Sequence, residues 1–104
     1  MMRYLKLVNL VVFLTIALVG FSQTVQEGRR FMHVQRHRAA KEHFQKMVDQ
    51  NPTNPEFIYW LSQAYFDNED PKGANAALDK YMQGELGSNP LLLVAKGQAE
   101  LTLN

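Results

Sequence analysis

The chain contains no cysteine, and its few serines are scattered rather than grouped with histidine or acidic partners. Without thiols it forms no disulfides, offers no thiol nucleophile, holds no zinc through thiolates and carries no lipid-modified N-terminal cysteine. It also lacks a glycine-rich loop of the kind that cradles phosphates. The acidic turn at 67–70 lacks the glycine and the ligand spacing of a calcium loop. We therefore expect no enzymatic activity and no cofactor or metal.

No stretch alternates apolar and polar residues for long enough to predict a strand. Apolar residues instead recur at helical spacing, and Asn54 with Pro55 provides a cap and a first helical residue for one of these segments. The sequence therefore predicts an all-α fold of antiparallel helix pairs. The helical stripes are Ala40, Phe44, Met47 and Val48; Phe57, Ile58, Leu61, Ala64 and Tyr65; and Ala74, Ala77, Leu78, Tyr81 and Met82.

The N-terminal segment has the layout of a secretory signal peptide. Arg3 and Lys6 precede the apolar run from Leu7 to Val19, and small residues lie just before Gln23. We expect cleavage there to remove residues 1–22. The alternative is an uncleaved membrane anchor, which a segment this short can still form with snorkelling flanks. In both cases the remainder is exported, and an exported chain without cysteine suits a bacterial periplasm or cell envelope.

The rest of the chain contains an internal repeat in which residues of similar size recur 34 positions apart. The matching pairs are Gly28 and Ser62, Phe31 and Tyr65, Ala40 and Ala74, Phe44 and Leu78, and Met47 and Tyr81. This spacing resembles the tetratricopeptide repeat. The small residues Gly28 and Ser62 are expected to lie opposite Ala40 and Ala74, which would let the paired backbones approach closely.

The resemblance implies an α-solenoid of about two and a half units across residues 23–104. The units span about 21–54, 55–88 and, in part, 89–104. The third opens at Pro90, with Leu93 and Gly97 expected at the large and small packing positions.

By the same resemblance, the first helices of successive units line a concave groove that binds a protein or peptide. The aromatic and arginine side chains in this set are the types enriched at binding hot spots. The lysine and asparagine pattern with which some family members clamp a partner's C-terminal carboxylate is absent. For Trp60 the alternative is packing against a neighbouring helix. The predicted groove residues are Arg29, Met32, His33, Tyr59, Trp60, Gln63, Phe66, Asp67 and Gln98.

The sequence disfavours two other kinds of site, a metal site and a nucleic-acid-binding surface. His33 and His37 are four residues apart and His43 follows, but the repeat places a turn between the first two, so we expect solvated turn histidines rather than a metal site. The basic residues between Arg29 and Lys46 lie on both predicted helices of their unit, so we expect solvated faces rather than nucleic-acid binding. A membrane would be contacted only through the N-terminal segment, if it is not cleaved.

The last predicted helix, about 89–103, carries more apolar residues than one face can bury. We therefore expect a longer repeat array or self-association through this helix; the alternative is that it caps the array. Together these features predict an exported, non-catalytic interaction scaffold. The alternative function is a membrane-anchored structural subunit of an envelope complex. The apolar residues are Leu91, Leu92, Leu93, Val94, Leu101 and Leu103.

Overall fold

The computed structural model describes residues 25–103, and these residues fold into helices without any strand. The all-α prediction is therefore confirmed, whereas the predicted signal peptide lies outside the described residues. No helix between residues 25 and 103 is long and apolar enough to cross a bilayer. The elements are α1 (within the described part, 25–33), α2 (His37–Gln50), α3 (Pro55–Asp67), α4 (Pro71–Tyr81), a short 3-10 helix (Gly84–Ser88) and α5 (Pro90–Leu103).

The helices pack in chain order around one continuous core. Helix α3 lies against α2 on one side and α4 on the other, and α5 packs on both α3 and α4. The predicted packing positions Ala40 and Ala74 are fully buried. The core is formed mainly by Ala40, Phe44, Met47, Val48, Phe57, Ile58, Leu61, Ala64, Leu78, Leu92 and Ala95.

The turns within the two helix pairs repeat the same backbone geometry. Gln35 and Glu69, 34 residues apart, adopt left-handed conformations with φ of 62° and 56°. The Gln35 N–H donates to the Met32 carbonyl at 3.1 Å, and the Glu69 N–H donates to the Phe66 carbonyl at 3.0 Å. The sequence period therefore corresponds to a structural repeat, although neither left-handed position holds a glycine.

Helices α3 and α5 begin with the same cap. The Asn54 side chain accepts hydrogen bonds from the backbone N–H groups of Glu56 and Phe57 at 3.0 and 3.3 Å. Asn89 accepts equivalent bonds at the start of α5, and a proline follows each asparagine. These bonds satisfy donors that have no partner within a helix. The predicted start of α3 at Asn54 and Pro55 is confirmed.

The two small residues of the first helices have different surroundings. A Cβ on buried Gly28 would overlap the rings of Phe44 and His43, so close approach of α1 to α2 requires glycine there. Buried Ser62 instead donates its hydroxyl to the Tyr59 carbonyl at 2.6 Å. The expected close approach is present at Gly28, and the side chain it accommodates is Phe44, one turn after Ala40.

At the start of the third unit, the large and small repeat positions have no packing partner within the described residues. Leu93 is 48% exposed, and a Cβ on Gly97 would meet no atom within 4 Å. Helix α5 instead buries the face that carries Leu92, Ala95 and Ala99. The outward positions lack a packing partner because no further helix covers them within the described residues.

Candidate functional site

A cavity of about 500 Å³ lies between α1 and α3, the first helices of the first two units. Helix spacing explains how these side chains meet: Arg29 and His33 are one turn apart on α1, and Trp60 and Asp67 are two turns apart on α3. The cavity is lined by Gln26, Arg29, Arg30, Met32 and His33 from α1 and by Trp60 and Asp67 from α3.

Trp60 joins the cavity to the core. Its half-buried ring stacks on Phe44, with the ring centroids 6.2 Å apart and the planes inclined by 19°. The Arg29 guanidinium carbon lies 4.9 Å from the Trp60 ring centroid, a cation–π geometry. Tyr59 meets the same ring edge-on at 5.3 Å. Trp60 therefore packs on a neighbouring helix and also lines the cavity.

The cavity has an excess of positive charge. Arg29 and Arg30 are exposed and form no ion pair with a carboxylate among residues 25–103. The acidic residue in the lining is Asp67, also exposed, at the end of α3. The two ion pairs found in the described part of the chain, Arg38 with Glu42 and Lys96 with Asp79, involve none of the lining residues.

The predicted groove residues divide into two groups. Arg29, Met32, His33, Trp60 and Asp67 line the cavity.

The others follow the same surface toward α5 or lie beside it. Tyr59 packs on Trp60, and the Gln63 amide donates to the Gln98 side-chain oxygen at 3.1 Å, bridging α3 and α5. Phe66 is half-buried and is not part of the cavity lining.

Two lining residues, Gln26 and Arg30, were missed by the positions carried over from the family pattern. The signal that finds them is plain helical spacing. Residues 26, 29, 30 and 33 follow the i, i+3, i+4, i+7 pattern of a single helix face. Gln26 and Arg29 also line a second cavity, of about 610 Å³, beside the cap residue Asn54.

Beneath the cavity, a chain of aromatic rings connects α1, α2 and α3. The His43 imidazole meets Phe31 edge-on at 5.8 Å and Phe44 at 5.6 Å. The expectation of a solvated turn position is therefore wrong for His43, which is half-buried on α2.

Between residues 25 and 103, no group of three or more histidine, aspartate or glutamate side chains is arranged to hold a metal.

The family comparison agrees with this repeated architecture. A family model described as tetratricopeptide repeat matches residues 31–96, which is more than half of the chain. No curated protein and no solved structure matches the chain significantly. The matched region begins in α1 and ends in α5, so it contains the two equivalent turns at Gln35 and Glu69 and the core between them. The chain therefore belongs to the tetratricopeptide repeat family.

Proposed function

We propose that this protein is a non-catalytic interaction module that binds a protein or peptide in the groove between α1 and α3. Tetratricopeptide repeats generally mediate contacts between proteins. The observation that carries the proposal is the cavity in which Arg29 covers the Trp60 ring. Tryptophan and arginine are the residues that most often dominate binding energy at protein interfaces.

The lining favours recognition over chemistry. It combines one arginine pair, one carboxylate and one histidine with the apolar surfaces of Met32 and Trp60. Among the lining residues there is no serine, threonine or lysine that a base could activate as a nucleophile. Exposed Arg29, Arg30 and Asp67 can bind polar groups of a partner while Met32 and Trp60 contact its apolar side chains.

Site-specific photo-crosslinking in cells tests this proposal. A photoreactive amino acid at position 32 faces the cavity, whereas the same group at exposed Lys80 lies on α4, outside the cavity lining. We expect position 32 to capture a discrete partner band that position 80 does not. The proposal fails if both positions give the same products, or if position 32 captures none.

We also propose that the protein is exported to a bacterial periplasm or cell envelope. The support is Arg3 and Lys6 followed by the apolar run from Leu7 to Val19. N-terminal sequencing separates the two forms of this proposal. A mature protein beginning at Gln23 supports a free exported module, whereas Met1 retained in membranes supports the alternative, an anchored structural subunit of an envelope complex.

The exposed face of α5 supports a further helix contact, from a longer repeat array or from a second copy. Leu93, Gly97 and Leu101 follow one another at one-turn intervals, and Leu101 is 84% exposed. Val94, at 66%, widens this stripe. Exposed apolar stripes of this kind are typical of helix-packing surfaces. A charge placed in this stripe tests whether it forms such a contact.

A further inference from the structure

We infer that the α1–α3 groove selects an acidic peptide segment in which a carboxylate side chain stands next to a large apolar one. This inference rests on the proposed function and names the chemistry of its partner. Two kinds of side chain line the same cavity. Arg29 and Arg30 form no ion pair with a carboxylate in the described part of the chain, and Met32 and Trp60 provide apolar surface beside them.

The charge of the lining matches an anion. Arg29 and Arg30 are adjacent on α1, and His33 lies one turn after Arg29. Asp67 offsets the charge of one of the two arginines and leaves the lining net positive. Because a charged group beside low-dielectric protein surface attracts its opposite more strongly than in bulk water, this lining favours acidic segments over neutral or basic ones.

Arg29 is held in a useful orientation before any partner arrives. Its guanidinium carbon lies over the Trp60 ring, 4.9 Å from the centroid. An arginine in contact with an aromatic face can still donate from N–H groups that point away from the ring. A planar guanidinium can give a carboxylate two parallel hydrogen bonds. Holding it against an aromatic ring lowers the conformational entropy lost when the carboxylate binds.

The apolar half of the requirement comes from Met32 and Trp60. Both are half-buried, so each exposes part of an apolar surface within the same cavity as the arginines. Methionine adapts its shape to different side chains, and the part of the indole that Phe44, Tyr59 and Arg29 leave exposed adds a rigid apolar surface. An apolar residue next to the bound carboxylate can therefore rest on these two side chains.

Peptide arrays test this inference on the full-length chain, purified in mild detergent. Three degenerate sets share a fixed leucine and carry glutamate, glutamine or lysine beside it; a single-stranded DNA oligonucleotide serves as a non-peptide polyanion. We expect preferential binding of the glutamate set, weakening as salt is raised. Arg29→Gln or Arg30→Gln should lower that binding about tenfold, the effect of losing a charge-assisted hydrogen bond.

The matched control is Arg38→Gln, which removes the same charge from an exposed residue outside the cavity lining. It should leave the glutamate preference unchanged, and Arg29→Lys should retain part of it. Thermal melts monitored by circular dichroism verify that each variant folds.

The outcomes separate this inference from the proposed function. Equal binding of the glutamate and glutamine sets overturns the acidic preference but keeps peptide binding. Binding of the oligonucleotide as tight as that of the glutamate set overturns the peptide specificity. Failure of all three sets to bind overturns both the inference and peptide binding in the groove.

Discussion

Gly28 on α1 lies directly against the ring of Phe44 on α2, so close that a methyl group at residue 28 would overlap the ring. Phe44 is fully buried and stacks on Trp60, so it cannot move without disturbing α3. Because residue 28 is a glycine, α1 can approach α2 closely, and this approach fixes the position of Arg29 relative to α2 and α3.

We expect Gly28→Ala to destabilise the protein by about 1–3 kcal/mol, the usual cost of overpacking a core. The matched control is Gly97→Ala, where the added Cβ meets nothing. Alanine is the better helix former, so this change should stabilise α5 by about 0.5–1 kcal/mol. Thermal melts of the two variants should shift in opposite directions; a shift of the same sign would contradict the contact at Gly28.

Glu69→Gly should stabilise the protein by up to about 1 kcal/mol. Glu69 has φ of 56°, and a residue with a Cβ is strained in this region whereas glycine is not. Asn68→Gly is the control. Asn68 has φ of −85°, so glycine relieves no strain there and lowers stability by raising the conformational entropy of the unfolded chain. Urea denaturation should show a higher midpoint for the first variant and a lower one for the second.

Ala74→Leu should cost about 1–3 kcal/mol of folding free energy, because Ala74 is fully buried between packed helices. Ala76→Leu adds the same atoms to an exposed position on the same helix and should change stability by less than about 0.5 kcal/mol. An unchanged melting temperature for Ala74→Leu would show that α4 tolerates bulk at this position, contrary to the repeat register.

Tyr59→Ala should weaken partner capture from position 32 more than Phe66→Ala does. Neither side chain lines the cavity, but Tyr59 packs edge-on against Trp60, which does line it. Crosslinking yield, corrected for the folded fraction of each variant, measures the difference. Equal yields from the two variants would exclude Tyr59 as a support for the groove.

The protein should self-associate, or bind further repeats, through the α5 stripe. Leu101→Lys places a charge at the most exposed apolar position of that stripe. The molar mass measured by light scattering should then fall toward that of the monomer. Thr102→Lys adds the same charge one residue away, off the stripe, and should not. A wild-type monomer that is insensitive to concentration and to added downstream repeats would contradict the proposal.

The elements of this fold are visible in the sequence because helical spacing and caps are local. Asn54 and Pro55 begin α3 as predicted, since a cap needs only the next few backbone amides. The 34-residue period likewise predicts the positions of the turns that follow α1 and α3. Both turns are closed by equivalent backbone hydrogen bonds, from Gln35 to Met32 and from Glu69 to Phe66.

Which side chains meet is less predictable, because it depends on the distance between helices. The sequence does not reveal that the ring of Phe44 fills the space at Gly28, or that His43 lies between two aromatic rings. Arg30 lines the cavity from a position that the family pattern does not assign to the groove. Leu93 and Gly97 occupy repeat positions that only a further helix beside α5 would bury.

Trp60 is the only tryptophan in the chain, so the intrinsic tryptophan fluorescence of the protein reports on the groove alone. Its indole contacts the buried Phe44 ring and the exposed Arg29 guanidinium, so its emission responds both to unfolding and to an occupant of the cavity. A carboxylate bound to Arg29 beside the indole would change the emission intensity, and an apolar side chain that covers the exposed part of the ring would shift the emission to the blue. Ligand titrations therefore need no attached dye, and a single spectrum distinguishes an occupied groove from an opened core.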